Sequence, residues 1–404
     1  MPMVKQLAID GGEPFRTAPF PPWPAFDDEM IEATAQVLRS GKVNYWTGQE
    51  TRQFESEFAD QCQSEFAIAL ANGTLSLELA LQALGIGPGD EVVVPCRTFI
   101  ATASAVVTRG AKPVVADVDP VTQNITAATI EDALSSRTRA VIPVHLAGLS
   151  CDMDPIMKLA SDRGLYVVED CAQAHGATYL GRPVGSIGHL GSFSFCQDKI
   201  LTTGGEGGML TTNDRELWKR AWAYKDHGKD WDAVNTPVPG AVFKWLHESF
   251  GTNWRMTEMQ SAIGRVVLRR LPDWVEARRK NAAFLHERLQ QLDGVTSYLP
   301  DEGFGHSYYK FYAQLDVERL SGEWTRDKVV KAMQAEGIPF GSGACSEIYK
   351  EGAFVKAGLA PDEPLPAAKA LGETSMMFVV HPTLREAELD DTIGALEKVL
   401  RVAI

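Results

Sequence analysis

Lys199 stands between a short apolar run, Leu190–Phe195, and the glycine-rich stretch Gly204-Gly205-Glu206-Gly207-Gly208. A lone lysine is by default a solvated surface residue. One held where backbone must pass closely is desolvated instead. A desolvated amine gives up its proton more readily and can attack a carbonyl to form a Schiff base. Three other segments carry groups that suit such a lysine. After Leu165–Val168 comes Glu169-Asp170-Cys171-Ala172-Gln173-Ala174-His175-Gly176. An acid at a strand end in apolar surroundings needs a partner to stay charged, and a pyridinium N–H would serve. The alternatives for Asp170 are an N-cap or a surface acid, and His175 reads as a satisfied interior histidine. After Phe66–Leu70 comes Ala71-Asn72-Gly73-Thr74 at a helix start. N–H groups there, helped by a hydroxyl, can cradle a phosphate; equally, Thr74 can be an ordinary cap. After Glu91–Pro95 comes Cys96-Arg97-Thr98-Phe99, where Phe99 could lie flat on an aromatic ring or belong to the core.

All four segments follow apolar runs, and those runs recur. Strand-like stretches at Phe66–Leu70, Glu91–Pro95, Pro113–Asp117, Ala140–Val144 and Leu165–Glu169 alternate with helical ones. The helices are expected at Thr74–Leu84, Phe99–Arg109, 127–134 and 152–163. Leu190–Phe195 and Gly207–Thr211 add two strands. The alternation predicts an α/β fold, a mostly parallel central sheet with helices on both faces. In such sheets ligands bind beyond the carboxyl ends of the strands, where these groups fall. The stretch 213–292 reads as helical, broken by a long loop at Gly228–Gly251 that carries Pro237, Pro239 and Gly240. A loop of that length implies function or packing against a partner. From about 293, a strand at Tyr308–Leu315 and helices at 324–335 and 385–402 form a smaller α+β domain. The chain thus divides into an arm (1–25), a large α/β domain (26–292) and a small C-terminal domain (293–404).

A chain of 404 residues is too long for one domain of usual size. Its formal net charge of −14 disfavours non-specific binding of nucleic acid, because phosphates reward Lys and Arg. No apolar stretch approaches the roughly 20 residues of a membrane span, and Met1–Thr17 lacks the apolar run of a signal peptide. Six cysteines without a C-x-x-C pair give no zinc or thioredoxin-like motif, so reduced thiols in the cytoplasm are expected and no metal. Other motifs are weak. Gly85-Ile86-Gly87-Pro88-Gly89-Asp90 is a turn before a strand, His247-Glu248 lacks a second histidine, and Ser194 has no nucleophile elbow.

Taken in order, Asn72-Gly73-Thr74, Val94-Pro95-x-x-Thr98-Phe99, Glu169-Asp170-x-Ala172-Gln173-Ala174-His175-Gly176, Ser192-Phe193-Ser194-Phe195-x-x-x-Lys199, the Gly204–Gly208 stretch and Asn253-Trp254-Arg255-Met256-Thr257-Glu258-Met259-Gln260 form a set. This set resembles the sugar aminotransferases of the DegT/DnrJ/EryC/StrS family across residues 25–400. The resemblance implies a fold type I enzyme that uses pyridoxal 5'-phosphate, and a homodimer with shared active sites. Lys199 would carry the cofactor as a Schiff base and shuttle protons. Asp170 would pair with the ring nitrogen, Phe99 would stack on the ring and Gln173 would contact its hydroxyl. Gly73, Thr74 and Ser194 would bind the phosphate, with Asn253 arriving from the partner subunit. Thr47, His227 and Lys310 would line the sugar pocket. The implied reaction takes an amino group from an amino acid, usually glutamate, and gives it to a keto-sugar on a nucleotide.

The chain departs from the family pattern in places. Ala147 stands where many members have an aromatic, Lys310 in the approximate place of a frequent histidine, and Cys196-Gln197-Asp198 where aromatic and small residues are commoner. These features and Pro21-Pro22-Trp23-Pro24 resemble the aminohydroxybenzoate synthase branch. The loop through Trp231, Trp245 and His247 resembles enzymes of O-antigen and capsule synthesis that aminate a UDP-linked 4-keto-6-deoxy-N-acetylhexosamine. A sugar dehydratase and a non-catalytic cofactor-binding regulator are the remaining alternatives. The lysine at 199 favours amino transfer over dehydration.

Overall fold

Seven short runs of the sequence, largely buried except at the edge strand Lys112–Ala116, form the central sheet of the computed structural model, which describes residues 6–236 and 246–404. The strands are β1 (Phe66–Leu70), β2 (Glu91–Pro95), β3 (Lys112–Ala116), β4 (Thr138–Val141), β5 (Tyr166–Asp170), β6 (Leu190–Ser194) and β7 (Gly208–Thr212). Their order is β1-β7-β6-β5-β4-β2-β3. Pairings from β6 through β5, β4 and β2 to β3 are parallel. β7 runs antiparallel to both β1 and β6, so the sheet is mostly parallel with one reversed strand. The period-two geometry of a strand explains the two cores. Val92 and Val94 face one layer with Leu70, Leu77 and Val106, while Val93 faces the other with Val141, Ile130 and Ile156. Helices Gly73–Ala83 and Ala101–Thr108 contribute to the first layer, and Ala127–Ala133 and Met153–Arg163 to the second.

A second sheet is built from β8 (Val295–Ser297), β9 (Phe311–Leu315), β10 (Phe340–Gly341) and β11 (Ser375–Phe378), in the order β8-β9-β11-β10. Its pairings are all antiparallel. It shares one core with helices Arg326–Ala335 and Glu386–Ala403. The helix Glu258–Leu289 joins the two sheets. Its start is fixed by a capping box between Thr257 and Gln260, and it continues through Pro272. Val266, Leu271 and Val275 pack under the central sheet, and Ala282, Leu285 and Leu289 pack with the second. Burial along the whole length outweighs the N–H lost at the proline.

Two expectations from sequence change. The strand expected from Tyr308 begins only at Phe311, because Tyr308 has a left-handed φ of 49°. Within the expected loop Gly228–Gly251, Trp231–Asn235 is a short helix capped by Asp230. Pro237, Pro239, Gly240 and Trp245 lie outside the described residues. The N-terminal arm is ordered from the start of its aromatic segment. Trp23 meets Trp274 edge-on at 5.1 Å, and Arg278 lies 5.0 Å over its ring. No described helix is long and apolar enough to cross a membrane.

Candidate active site

The carboxyl ends of β2, β5 and β6 and the turn after β1 open onto a cavity of about 870 Å³, closed on the far side by residues 309–312 and 343–345. Gly73, Thr74, Phe99, Asp170, Gln173, Ser194, Lys199 and Lys310 all line it. Eight of the residues singled out from sequence therefore meet in one place.

Asp170 ends β5 and is pinned by its own backbone. Its N–H donates to the Pro143 carbonyl at 2.8 Å, and its carbonyl accepts the His145 N–H at 3.1 Å. The carboxylate accepts the Thr102 hydroxyl at 2.9 Å and the Ala172 N–H at 3.1 Å. Burial raises its pKa, and these two bonds offset that only in part. Among the described residues no cation bonds it directly. A carboxylate so placed is under-compensated, and a positively charged ring N–H would complete it.

Lys199 follows β6 in a turn held by Trp23, whose indole N–H donates to the Lys199 carbonyl at 3.0 Å. Its side chain is 16% exposed, and Nζ lies 3.6 Å from Asp198 Oδ1. Phe99 is 69% exposed on the cavity wall. The core reading of this residue is therefore corrected: a large bare aromatic beside a cavity is a surface for stacking. Opposite, Gly73 permits a close approach. A Cβ there would stand 2.4 Å from Ser194 Cβ and 2.9 Å from Ser194 Oγ. The helix is capped by Asn72, whose side chain accepts the Leu75 N–H at 3.0 Å, and not by Thr74. Gly73 and Thr74 thus fall in the first turn, where N–H groups have no intrahelical acceptor. With the Thr74 and Ser194 hydroxyls they form a cradle suited to a phosphate.

Gln173 is oriented by one bond. Its Oε1 accepts the Ala147 N–H at 2.9 Å, so the amide NH₂ is the donor left for the cavity. Ala147 has a left-handed φ of 55°, and its carbonyl accepts the Tyr309 N–H at 2.7 Å. The unusual Ala147 therefore fixes both Gln173 and the segment that carries Lys310. Burial lowers the pKa of the Lys310 amine, which sits 4.9 Å over the Tyr309 ring. His175 is interior, with its pKa pushed down to about 3 by burial and then by Lys199 and Arg278. The satisfied histidine expected from sequence is not found: neither ring nitrogen makes a well-formed hydrogen bond among the described residues, and the Ser194 backbone offers only a weak one.

Thr47, His227 and Asn253 do not line this cavity; all three are exposed. They gather on another surface. Asp226 bridges to Asn253, the His227 N–H donates to the Thr252 carbonyl at 2.8 Å, and Lys229 lies 4.0 Å over the Trp46 ring.

Sequence reasoning missed the brace behind Asp170. Glu169 points to the opposite face of β5 and accepts four hydrogen bonds. They come from His145 Nε2 at 3.0 Å and from the N–H groups of Gly185, Ile187 and Gly188 at 2.9, 2.8 and 2.6 Å. His145 Nδ1 accepts the Cys151 N–H at 3.0 Å, leaving Nε2 as the ring's donor. His145, Glu169 and Cys171 bring ligand-type atoms within 4.8 Å of one another. The hydrogen bonds already occupy the carboxylate, so this cluster is a brace rather than a metal centre. Burial alone would raise the Glu169 pKa; the His145 and backbone bonds overcome it and hold the carboxyl below its ordinary value. Stability from a group depressed in this way is full above about pH 4.3 and is lost as pH falls through the folded value. Glu169→Ala strands the buried His145 ring N–H and three backbone N–H groups, one buried and two part-buried, and is expected to cost about 3–5 kcal/mol at neutral pH. In thermal unfolding the gap from wild type should narrow in acid; a variant that melts like wild type at pH 7 would remove the brace from this account.

The solved aminotransferase of Psychrobacter cryohalolentis superposes with a TM-score of 0.92 at 53% identity, over 95% of this chain and 99% of that one. Fold and cavity together define an α/β enzyme of the aminotransferase class. The chain belongs to the DegT/DnrJ/EryC1/StrS aminotransferase family, which it matches over residues 24–397. Among curated relatives, GDP-perosamine synthase of Caulobacter vibrioides is 40% identical over 86% of this chain and 89% of its own length. The UDP-N-acetyl-3-dehydro-alpha-D-glucosamine 3-aminotransferase of Acidithiobacillus ferrooxidans is 37% identical over 90% and 91%.

Proposed function

We propose that the cavity binds pyridoxal phosphate at Lys199 and transfers an amino group from L-glutamate to a nucleotide-linked keto-sugar, a UDP-4-keto-6-deoxy-N-acetylhexosamine, for O-antigen, capsule or other glycan synthesis. The observation that carries the reading is the meeting of an under-compensated acid, a lysine amine, a bare aromatic and a phosphate cradle in one cavity. When bound, the cofactor supplies a ring that accepts the electron pair released as a bond to the amino acid's α-carbon breaks. The chain's own groups do the rest. Asp170 keeps a proton on the ring nitrogen, and Phe99 covers one ring face. Gln173 offers its NH₂ to the ring oxygen. Thr74, Ser194 and the N–H groups of Gly73 and Thr74 hold the phosphate, and Lys199 carries the proton that must leave one carbon and return to another. Lys310 is a cation for the substrate's anionic part.

The names of the two curated relatives both contain a nucleotide-linked sugar, which supports that acceptor class. Exposure of Thr47, His227 and Asn253 on one surface supports a homodimer in which they complete the partner's site. The unpaired cysteines support a reducing compartment, and we place the enzyme in the cytoplasm. Purified protein incubated with pyridoxal phosphate, L-glutamate and UDP-4-keto-6-deoxy-N-acetylglucosamine is expected to release 2-oxoglutarate and the amino-sugar in equal amounts. Absence of 2-oxoglutarate with UDP-, GDP- and dTDP-linked keto-sugars alike would overturn the reading. Release with a GDP- or dTDP-linked sugar alone would overturn only the choice of nucleotide.

A further inference from the structure

Asp198 directly precedes the lysine, and Tyr309 has so far no part in the chemistry. Both line the cavity beside Lys199. Lys199 Nζ lies 3.4 Å from Tyr309 Oη and 3.6 Å from Asp198 Oδ1. Tyr309 Oη is also hydrogen-bonded to Asp198 Oδ2. The direction of that bond follows from the two groups. Burial first, and then the Asp198 charge, push the phenol far above its ordinary pKa. Burial opposes the Asp198 charge, but Lys199 and the Tyr309 bond hold its carboxyl below the ordinary value. The phenol is therefore the donor and the carboxylate the acceptor. A phenol has a single proton. Once it is given to Asp198, Oη can only accept, and Nζ is the donor within reach.

The backbone holds this arrangement from behind. Arg278 is buried and donates to the carbonyls of Tyr308 and Tyr309 at 3.2 and 3.3 Å. The Tyr309 N–H is held by Ala147, and the Lys199 carbonyl by Trp23. We propose that Asp198 and Tyr309 are positioning residues for the Lys199 amine: the phenol oxygen takes one N–H, which turns the remaining valence of nitrogen toward the cavity. This rests on the reading of Lys199 as the cofactor-carrying lysine. Asp170, Lys310 and His175 are electrostatically coupled to Lys199, and Glu206 lines the same cavity. Those groups are unaltered in the variants below, so any shift between variants is that of the pair.

The test uses protein reconstituted with pyridoxal phosphate, as wild type, Tyr309→Phe, Asp198→Asn and the double variant. Three readouts are taken: cofactor content, the pH midpoint of the visible absorbance of cofactor attached to Lys199, and kcat and KM with L-glutamate. Tyr309→Phe is expected to lower kcat by about tenfold or more, with KM within about threefold. It should also move the midpoint to lower pH by about half a unit or more, because the nitrogen's N–H loses its acceptor. Asp198→Asn should move the midpoint the same way. In the double variant the two effects should fall short of their sum, since one residue acts through the other. Midpoints and kcat like wild type in both single variants would overturn the pairing, as would strictly additive effects. Losses that follow melting temperature and cofactor content, with the midpoint fixed, would reduce the pair to packing. Wild-type protein that takes up no cofactor would overturn the reading of Lys199 and this inference with it; normal wild-type uptake confines any failure to the pair.

Discussion

Lys199→Ala is expected to take up no cofactor absorbing in the visible and to lose turnover by about 10⁴-fold or more. The amine is the only part of the residue removed from the chemistry. The Trp23 bond goes to the Lys199 main-chain carbonyl and survives the substitution. The side chain is partly open to the cavity, so its loss leaves no sealed void in a core. Melting within a few degrees of wild type is therefore expected alongside the loss of activity. Amino transfer by Lys199→Ala at the normal rate, measured as 2-oxoglutarate released from L-glutamate, would remove Lys199 from the centre of the site.

Asp170→Asn should separate activity from stability. The amide oxygen can still accept the Ala172 N–H, and the NH₂ at the other position can donate to the Thr102 oxygen while that hydroxyl turns its proton to Thr98, so the local geometry persists. What is lost is the charge that holds a proton on the ring nitrogen, and kcat should fall by about 10²–10³. Without cofactor the effect on stability has the opposite sign. The folded-state pKa of Asp170 is raised by burial, so between the unfolded value and the folded one the folded chain binds the extra proton. Stability linked to that proton is full below the unfolded pKa, about 3.9, and is lost as pH rises through the folded value. At pH 7 the buried acid, which is charged in the unfolded chain, is thus a burden on the cofactor-free chain. Asp170→Asn should relieve it and raise stability by about 1 kcal/mol or more. The advantage should disappear near pH 4 and shrink when pyridoxal phosphate is added. Thermal unfolding of both proteins at pH 4 and 7, with and without cofactor, reads all of this. A cofactor-free variant that melts below wild type at pH 7 would show that the acid is not under-compensated.

The residues legible in the sequence are those that directly follow an apolar run. Asp170 closes β5, Ser194 closes β6, and Gly73, Thr74 and Phe99 come within five residues of a strand end. Once a parallel sheet is inferred, its geometry gathers their strand ends at one edge. Local pattern could not resolve matters decided by approach. Whether Phe99 was core or cavity wall depended on what stood across from it. Asn72 and Thr74 are both capping residue types, and only the backbone shows that Asn72 caps. The pairing of Asp198 with Tyr309 joins positions 111 residues apart, on different sheets' loops. The four donors on Glu169 come from His145 and a turn at 185–188, none of which carries a motif. The left-handed turn at Tyr308 was hidden by the β-like composition around it.

The contact between Trp23 and the Lys199 carbonyl also bears on the order in which the molecule is completed. Trp23 stacks against His381 at 6.0 Å, and Thr383 donates to the Pro22 carbonyl at 3.0 Å. The arm leaves the ribosome some 360 residues before the part of its seat formed by His381 and Thr383. Its final docking has to wait until synthesis has passed residue 383. The turn that bears the lysine gains this brace only then, so a nascent chain can own a finished central sheet and still lack a finished site.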